Sequence, residues 1–406
     1  MSDELDKRDR LTLQTYLTRS RETDRFASEP PEDHHKKLSF GFFGEVGGLL
    51  SALKKGRRDQ LVPRDAQAAG EEIGDALWYL ANLALLSGLS AESLGRAGLA
   101  YLRTRFGEGQ KTPASPVTFR SFDGLVFLHH AKLARNGERL LRDLAAASGR
   151  AVSQSYTEMM AVASDEKTRT FGELLGHLAL VSGHFNLAIE MVAQKNLEKV
   201  FDRWPGARPR YHVLHPAGKS YEQLPARLEV EFLQRKVGNR IVVVQQIKGL
   251  NIGDPLTDNS HRPDGYRFHD IFHLAYAAHL GWSPVIRALL KVKRKSDPQI
   301  DENEDGARAI IIEEGIATWI FNHAKGHKNY AQVEPGRLEY GLLKQVRGMV
   351  DGFQAVSCPL WQWEFAILDG FRVFRDLLAH KGGTVVADLN KHSLTYKAPV
   401  IPAEQP

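Results

Sequence analysis

The sequence predicts a mainly α protein, with two helical bundles in tandem followed by a mostly helical α+β domain that contains a β-hairpin. Three observations predict it. Apolar residues recur at helical spacing through residues 1–106, punctuated by Pro30, Pro31 and Pro63. The text then repeats: residues 83–88 (LALLSG) return as 178–183 (LALVSG), and 99–106 (LAYLRTRF) return as 197–204 (LEKVFDRW) after a three-residue insertion. Beyond Pro205 the composition turns β-branched, with 228–235 (LEVEFLQR) and 241–247 (IVVVQQI) flanking the turn-like Val237-Gly238-Asn239.

Taken in order, helices are expected at about 8–27, 33–55, 64–87 and 90–105. Residues 107–118 (GEGQKTPASPVT) are rich in Gly, Pro, Ser and Thr and read as a linker, which places the first bundle at 1–110 and the second at 111–206. The third domain, 207–406, opens with the hairpin and continues through a Gly-, Pro-, Asp- and Asn-rich loop at 249–265. Helices return at about 266–280, 283–294, 307–325, 335–355 and 362–380, and a β-like piece at 383–396 precedes a Pro-rich tail.

Two helices of the first bundle carry acids where a core is expected. Phe42, Val46, Leu49, Leu50 and Leu53 form an apolar stripe, and Glu45 sits on that same face. In the next helix residues 76–86 are apolar nearly all round, while Glu72, Asp75, Tyr79 and Asn82 follow one another along a single polar line. An ionised carboxylate facing a core is costly unless it is paired or bound to a cation. Lys54 and Lys55 come more than two turns after Glu45, so a metal is the natural partner, with arginines elsewhere in the bundle as the alternative. Carboxylates from two facing helices suit Mg²⁺, a hard ion that takes oxygen ligands and bridges phosphates.

The segments GEVGGLLSALKK (44–55) and EEIGDALWYL (71–80), led by LTLQTYLTRSRETDRF (11–26), resemble the MazG-like all-α nucleoside triphosphate pyrophosphohydrolases, whose signature is an E-E-x-x-E helix followed by an E-x-x-D helix. The resemblance implies cleavage between the α and β phosphates of a (deoxy)nucleoside triphosphate, dependent on Mg²⁺ or Mn²⁺, giving the monophosphate and pyrophosphate. It implies Glu45, Glu72 and Asp75 as metal ligands, Glu71 as an accessory acid and Lys54 as a phosphate contact. These four acids are the candidate catalytic set, and Lys55, Tyr79 and Asn82 join Lys54 as candidate substrate-binding residues. Two positions depart from the pattern. Gly44 stands where the family often has its first Glu and Gly48 where its last Glu belongs, so one metal position is weakened. The alternatives are a nucleotide-sensing module that controls the C-terminal domain, or an HD-like metal phosphohydrolase acting through a His/Glu site in that domain.

The second bundle closes with KNLEKVFDRWPG (195–206), similar to the closing text of MazG-like domains, yet it has no E-x-x-D. Gly172, Glu173, Gly176 and His177 occupy that neighbourhood, and His129 and His130 sit near its expected first acidic helix. Because bundles of this family usually work as dimers, the chain reads as a fused pseudo-dimer with one competent and one degenerate half. The degenerate half would lend Lys195 or Asn196 to the substrate, and further pairing into a homodimer is left open. The third domain resembles the C-terminal extension of some MazG-like proteins, in 257–284 (TDNSHRPDGYRFHDIFHLAYAAHLGWSP) and 310–321 (IIIEEGIATWIF).

A second constellation lies in that extension. His269 and His273 are four apart on one helical face with Asp270 between them, and Glu313 and Glu314 interrupt an apolar helix. Imidazoles at this spacing with a carboxylate from a partner helix bind a transition metal; a hydrogen-bonded core network is the other reading. HDIFH (269–273) is similar to the H-D-x-x-H of HD-type phosphohydrolases, with His261 and Asp301 or Asp305 as candidates for the outer ligands, and His323 and His327 add imidazoles further on. The runs 291–295 (KVKRK) and 301–305 (DENED) read as solvated faces.

The chain of 406 residues has a formal charge of +5 and a pI near 9.1, which suits an anionic ligand such as a nucleotide but is too mild to establish nucleic-acid binding. Cys358 is the single cysteine, so no intramolecular disulfide forms and a cytoplasmic home is expected. The opening MSDELDKRDR lacks the apolar core of a signal peptide, and no stretch reads as a membrane span. Neither a G-x-x-x-x-G-K loop nor a Rossmann fingerprint occurs, and Cys358, in a Ser-Cys-Pro turn without an obvious base, is a poor nucleophile candidate.

Overall fold

Short polar side chains and prolines set where the helices begin. The computed structural model describes residues 11–56, 65–134, 136–206, 209–214 and 219–399, and it divides into two compact units, Met1–Phe201 and Asp202–Pro406. In chain order the first helices are α1 (Leu13–Glu22), α2 (Pro31–Gly56), α3 (Asp65–Leu86) and α4 (Ala91–Phe106). Thr12 and Ser90 accept hydrogen bonds from the Thr15 and Ser93 N–H groups as N-caps of α1 and α4, and Pro31 opens α2 ahead of Glu32 and Asp33. Gly107, at φ 76°, closes α4 in the left-handed conformation that costs glycine least.

Next come α5 (Phe119–Leu128), α6 (His130–Ala134), α7 (Gly137–Val152), α8 (Tyr156–Ala161), α9 (Ser164–His184) and α10 (Ile189–Arg203). The sequence repeats fall at equivalent places: 83–88 spans the end of α3 and 178–183 the end of α9. Backbone contacts are reciprocal too. Leu13 N–H donates to Val117 C=O at 3.1 Å while Phe119 N–H donates to Leu11 C=O at 3.3 Å, forming a bridge between Thr12 and Thr118, the residues that precede α1 and α5. Leu11 N–H then donates to Glu190 at the head of α10 (3.2 Å), and Val117 N–H donates to Glu92 at the head of α4 (3.3 Å). Such exchanged pairs are what a two-fold relation between halves produces. Both text copies, as far as Phe201, lie inside one compact unit, with α4 packed on α9 through Gly98 and Gly172; a Cβ on Gly172 would stand 2.8 Å from the Ala97 backbone.

The second unit is α+β. Strands β1 (Arg227–Val237) and β2 (Arg240–Ile247) form the expected hairpin, joined by Gly238 (φ 58°) and Asn239. A third strand, β3 (Leu250–Leu256), was not expected; its residues read as loop because Gly253 and Pro255 interrupt it. It lies at the sheet edge, where Pro is tolerated, and its pairing with β2 shifts register at Val243/Gln245. Helices α11 (Asp270–Leu280), α12 (Pro284–Leu289), α13 (Pro298–Asn303), α14 (Ala307–Lys325), α15 (Tyr340–Met349) and α16 (Leu360–His380) follow, and β4 (Gly382–Asp388) and β5 (Ser393–Lys397) complete an antiparallel sheet of order β3-β2-β1-β4-β5.

Alternate residues of β1, namely Leu228, Val230 and Phe232, join a core with α11 and α16, and every residue of α11 is buried. The expected helix at 283–294 ends at Leu289, and the basic run beyond it is not a solvated face throughout. Arg294 is buried and grips Asp305 through Nε (3.0 Å) and Nη2 (2.7 Å). The acidic run likewise divides, with Glu302 and Asn303 exposed but Glu304 and Asp305 buried.

Candidate functional site

In the first unit, α2 and α3 bring together the acids the sequence singled out. α2 buries Leu38, Phe42, Val46 and Leu49, which turns Glu45 toward α3, while α3 buries Ile73, Ala76, Leu77 and Leu80 and presents Glu72 and Asp75 to the same place. Burial, the Asp75 charge, and a hydrogen bond and charge from Glu72 push the Glu45 carboxyl up to about 8, against the opposing pull of Lys199. At neutral pH Glu45 therefore keeps its proton beside Glu72. Gly48 makes room for this: a Cβ there would collide with Glu72 Oε2.

Asp75 is held from α10. Asn196 Nδ2 donates to its Oδ1 at 3.0 Å, Lys199 Nζ donates to its Oδ2, and the Tyr16 hydroxyl donates to Asn196 Oδ1 at 2.9 Å. Lys199 also lies 3.2 Å from Glu71 Oε1. A cleft of about 530 Å³ opens between α3 and α10, with Gln67, Glu71, Lys195, Asn196 and Lys199 as its polar lining and Leu187, Met191 and Val192 as an apolar wall. That volume is within the range of small-molecule sites.

Tyr79 stays with the acids, its ring resting on Gly41 of α2; burial and then the charges of Glu45 and Asp75 push its hydroxyl up to about 12. Asn82 does not join them: it is buried and donates to the Trp78 carbonyl of its own helix at 3.0 Å. The side chains of Lys54 and Lys55 lie outside the described residues. The residue missed by sequence reasoning is Lys199, which shares a helical face with Lys195 and Asn196; the i, i+4 spacing of the two lysines was the available signal. At the place related to the α3 and α10 contact by the repeat, α9 of the second copy meets α4 of the first, and there the Tyr101 hydroxyl lies 3.1 Å from His177 Nε2, with Glu173 3.4 Å from that nitrogen.

In the second unit, α11 and α14 place His269, His273, Asp270, Glu313 and Glu314 together. His269 Nδ1 faces the Tyr266 carbonyl at 2.9 Å and His273 Nδ1 faces Glu313 Oε1 at 2.9 Å. Glu313 is satisfied in addition by the Ser283 hydroxyl (2.7 Å) and the Val285 N–H (2.8 Å), so this acid orients His273 and is not free to reach outward. Glu314 Oε2 lies 3.5 Å from His273 Nε2 and 3.8 Å from His269 Nε2. Burial lowers the proton affinity of His269; for His273 burial acts the same way but Glu313 and Glu314 outweigh it and raise it well above the usual value. Among the described residues, His269, His273 and Glu314 are the trio whose ligand atoms lie within 4.8 Å of one another; the carboxylates of the first unit are not so closely gathered, since Asp75 is turned to Lys199.

Of the candidates for outer HD-type ligands, His261 is exposed and Asp305 is engaged by Arg294, while His323 pairs with the Tyr330 hydroxyl (2.7 Å) and Glu339 (3.3 Å). Burial pushes the Cys358 thiol up to about 12, in keeping with an unreactive cysteine. No described helix is long and apolar enough to cross a membrane.

Residues 212–400, which contain the sheet and the His/Glu cluster, match the family model described as the MazG C-terminal domain. The chain carries a MazG C-terminal domain. The acid-bearing helical unit precedes that domain and lies outside the matched segment. No curated protein and no solved structure matches the chain. Within the MazG C-terminal domain the matched segment spans every strand and all of α11 to α16.

Proposed function

We propose that the chain is a Mg²⁺-dependent nucleoside triphosphate pyrophosphohydrolase whose chemistry resides in its N-terminal helical unit. The observation that carries this reading is the charge balance at Glu45. Among the described residues, Glu45 and Glu72 meet beside Asp75 with Lys199 as a neighbouring ammonium, and burial together with the charges of Asp75 and Glu72 favours a proton on Glu45. A divalent cation would take the place of that proton, and the donors are the all-oxygen set that Mg²⁺ takes. Glu45 and Glu72 would hold the ion, with Asp75 as the further carboxylate; Mn²⁺ fits the same donors. When bound there, Mg²⁺ neutralises a triphosphate chain and acidifies water.

The chain's own residues supply the rest. Lys195 and Lys199, four apart on α10, face the cleft and bind the phosphates. Asn196, held by Tyr16, fixes the edge of the cleft against Asp75. Water attacks the α-phosphorus, its proton passes to one of the glutamates, and the bond to the oxygen bridging the α and β phosphates breaks to release pyrophosphate. The wall of Leu187, Met191 and Val192 offers an apolar surface for the base. Purified protein with Mg²⁺ is expected to release pyrophosphate and a nucleoside monophosphate from at least one nucleotide in a screen of the common triphosphates, and Glu72→Gln to abolish it. Release of orthophosphate alone, or turnover undiminished in Glu72→Gln, refutes the assignment.

A nucleotide-binding role without turnover is the second reading, favoured by the engagement of Asp75 with Lys199 and Asn196. Calorimetry separates the two: binding of a triphosphate with no product after prolonged incubation, unchanged by Gly48→Glu, selects the sensor.

A further inference from the structure

Both imidazoles of the MazG C-terminal domain are oriented through Nδ1. The Tyr266 carbonyl only accepts, so His269 Nδ1 carries the hydrogen and Nε2 keeps a lone pair. Glu313, already accepting from Ser283 and Val285, accepts from His273 Nδ1 in the same way. His273 Nε2 is then left without a hydrogen-bond partner inside a fully buried residue. Both Nε2 atoms converge on Glu314 Oε2, and Asp270 Oδ1 stands 3.1 Å from His269 Nε2. Lone pairs and anionic oxygens facing one another in a largely dry site repel unless a metal cation, or a proton on His273, sits among them.

We propose that His269, His273 and Glu314, with Asp270 beside them, bind one divalent transition-metal ion of the Zn²⁺ class. Four-coordinate bonds of this class separate neighbouring ligand atoms by about 3.3–3.5 Å. The observed His273 to Glu314 and His269 to Glu314 separations of 3.5 and 3.8 Å stand close to that. Two imidazole nitrogens with carboxylate select borderline first-row ions over Mg²⁺. The carbonyl and carboxylate on the two Nδ1 atoms are the outer contacts that fix the ring orientation of metal-bound histidines. His269 is the N-cap of α11 and His273 lies one turn into that buried helix, while the Glu314 side chain is 40 % exposed. One side of the ion therefore faces solvent, which leaves a coordination position open to water or a small anionic ligand. This site is independent of the carboxylates in the N-terminal unit and of the activity proposed for them.

The test is metal content and Co²⁺ spectroscopy on the full chain. Protein purified from medium supplemented with Zn²⁺, Mn²⁺ and Co²⁺ is expected to retain about one transition-metal ion per chain. Co²⁺ added to chelator-stripped protein is expected to give visible absorption bands of histidine ligation. His269→Gln and Glu314→Gln lose the ion and the bands, whereas Glu45→Gln and Glu72→Gln keep both. Glu313→Gln, which touches only the outer contact, is expected to weaken Co²⁺ binding about 10–100-fold. Glu314 is partly exposed, so its variant tests the site even if the buried histidine variant fails to fold. A chain that is folded yet takes up no ion and shows no Co²⁺ bands overturns the proposal in favour of a protonated His273 ion pair. Metal retained undiminished in Glu314→Gln and His269→Gln overturns it as well, by placing the ion elsewhere.

Discussion

The Glu72 carboxylate occupies the space that a side chain on Gly48 would fill. Glycine at this position leaves room for the Glu72 carboxylate, which meets Glu45 there. Both residues lie on facing turns of α2 and α3, so the identity of residue 48 sets where the Glu72 oxygens point.

Gly48→Ala separates two effects. Replacing a mid-helix glycine gains about 0.5–1 kcal/mol of helix stability, while the new Cβ pushes the Glu72 carboxylate aside, which a flexible side-chain end can do. Thermal melts are expected to show an unchanged or slightly raised midpoint, and Mg²⁺ titration a half-saturation raised severalfold. Gly48→Glu adds a carboxylate to the same face and is expected to shift Mg²⁺ half-saturation the other way by about tenfold, or 1.4 kcal/mol.

Glu45 makes the metal-free protein pH-sensitive. Its folded pKa, about 8, lies above the ordinary value of 4.5, so the folded state binds a proton more tightly than the unfolded chain does. That contribution is complete below about pH 4.5 and is lost as pH rises to 8 and beyond. Allowing for solvent screening of a partly exposed group, the loss is on the order of 1–2 kcal/mol. In the presence of chelator, the melting midpoint of the wild type is expected to fall between pH 5 and pH 9 by more than that of Glu45→Gln, in which no titrating group remains at the position.

The fold was legible where one face of an element is apolar and the other is not. α1 to α4 and the β1/β2 hairpin follow from their periods, and Glu45 was placed beside Glu72 and Asp75 by helical spacing alone. β3 was not legible, because an edge strand tolerates Gly253 and Pro255 and buries little, so its residues look like loop. Lys199 was not legible as a site residue because its partner Asp75 is 124 positions away and only the packing of α10 on α3 joins them. Arg294 and Asp305 looked solvated for the same reason: each is a charge within a charged run, and burial comes from the pairing. The His/Glu cluster was visible as spacing, yet the division of labour between Glu313, which orients, and Glu314, which faces the histidine Nε2 atoms, required the hydrogen bonds of Ser283 and Val285.

Lys199→Met tests whether the ammonium serves the acids or the ligand. Lys199 pairs with Asp75 while also lining the cleft. Without it the carboxylates repel more strongly, so the metal-free protein is expected to lose about 1 kcal/mol, more at pH 8 than at pH 6, with Mg²⁺ restoring most of the loss. If the cleft takes a triphosphate, KM for that nucleotide rises as well, measured in the pyrophosphate assay at saturating Mg²⁺. Restored stability with unchanged KM would assign Lys199 to the acids alone.

Arg203 and Glu364 form a buried ion pair in the second unit. Arg203 Nη1 donates to Glu364 Oε2 at 2.6 Å, Nη2 donates to the Leu338 carbonyl at 2.6 Å, and the Leu338 N–H donates to Glu364 Oε1 at 2.7 Å. Both side chains are almost entirely buried, at 4 % and 1 % exposure, so neither charge has water to fall back on. Glu364→Ala therefore leaves the guanidinium with only a backbone carbonyl and is expected to cost about 3–5 kcal/mol in urea unfolding. Glu364→Gln keeps the shape but must turn its amide NH₂ toward one of two donors, and should cost less. The double variant Arg203→Leu with Glu364→Leu is expected to recover much of the loss, because the isolated buried charge accounts for more of the penalty than the missing pair does.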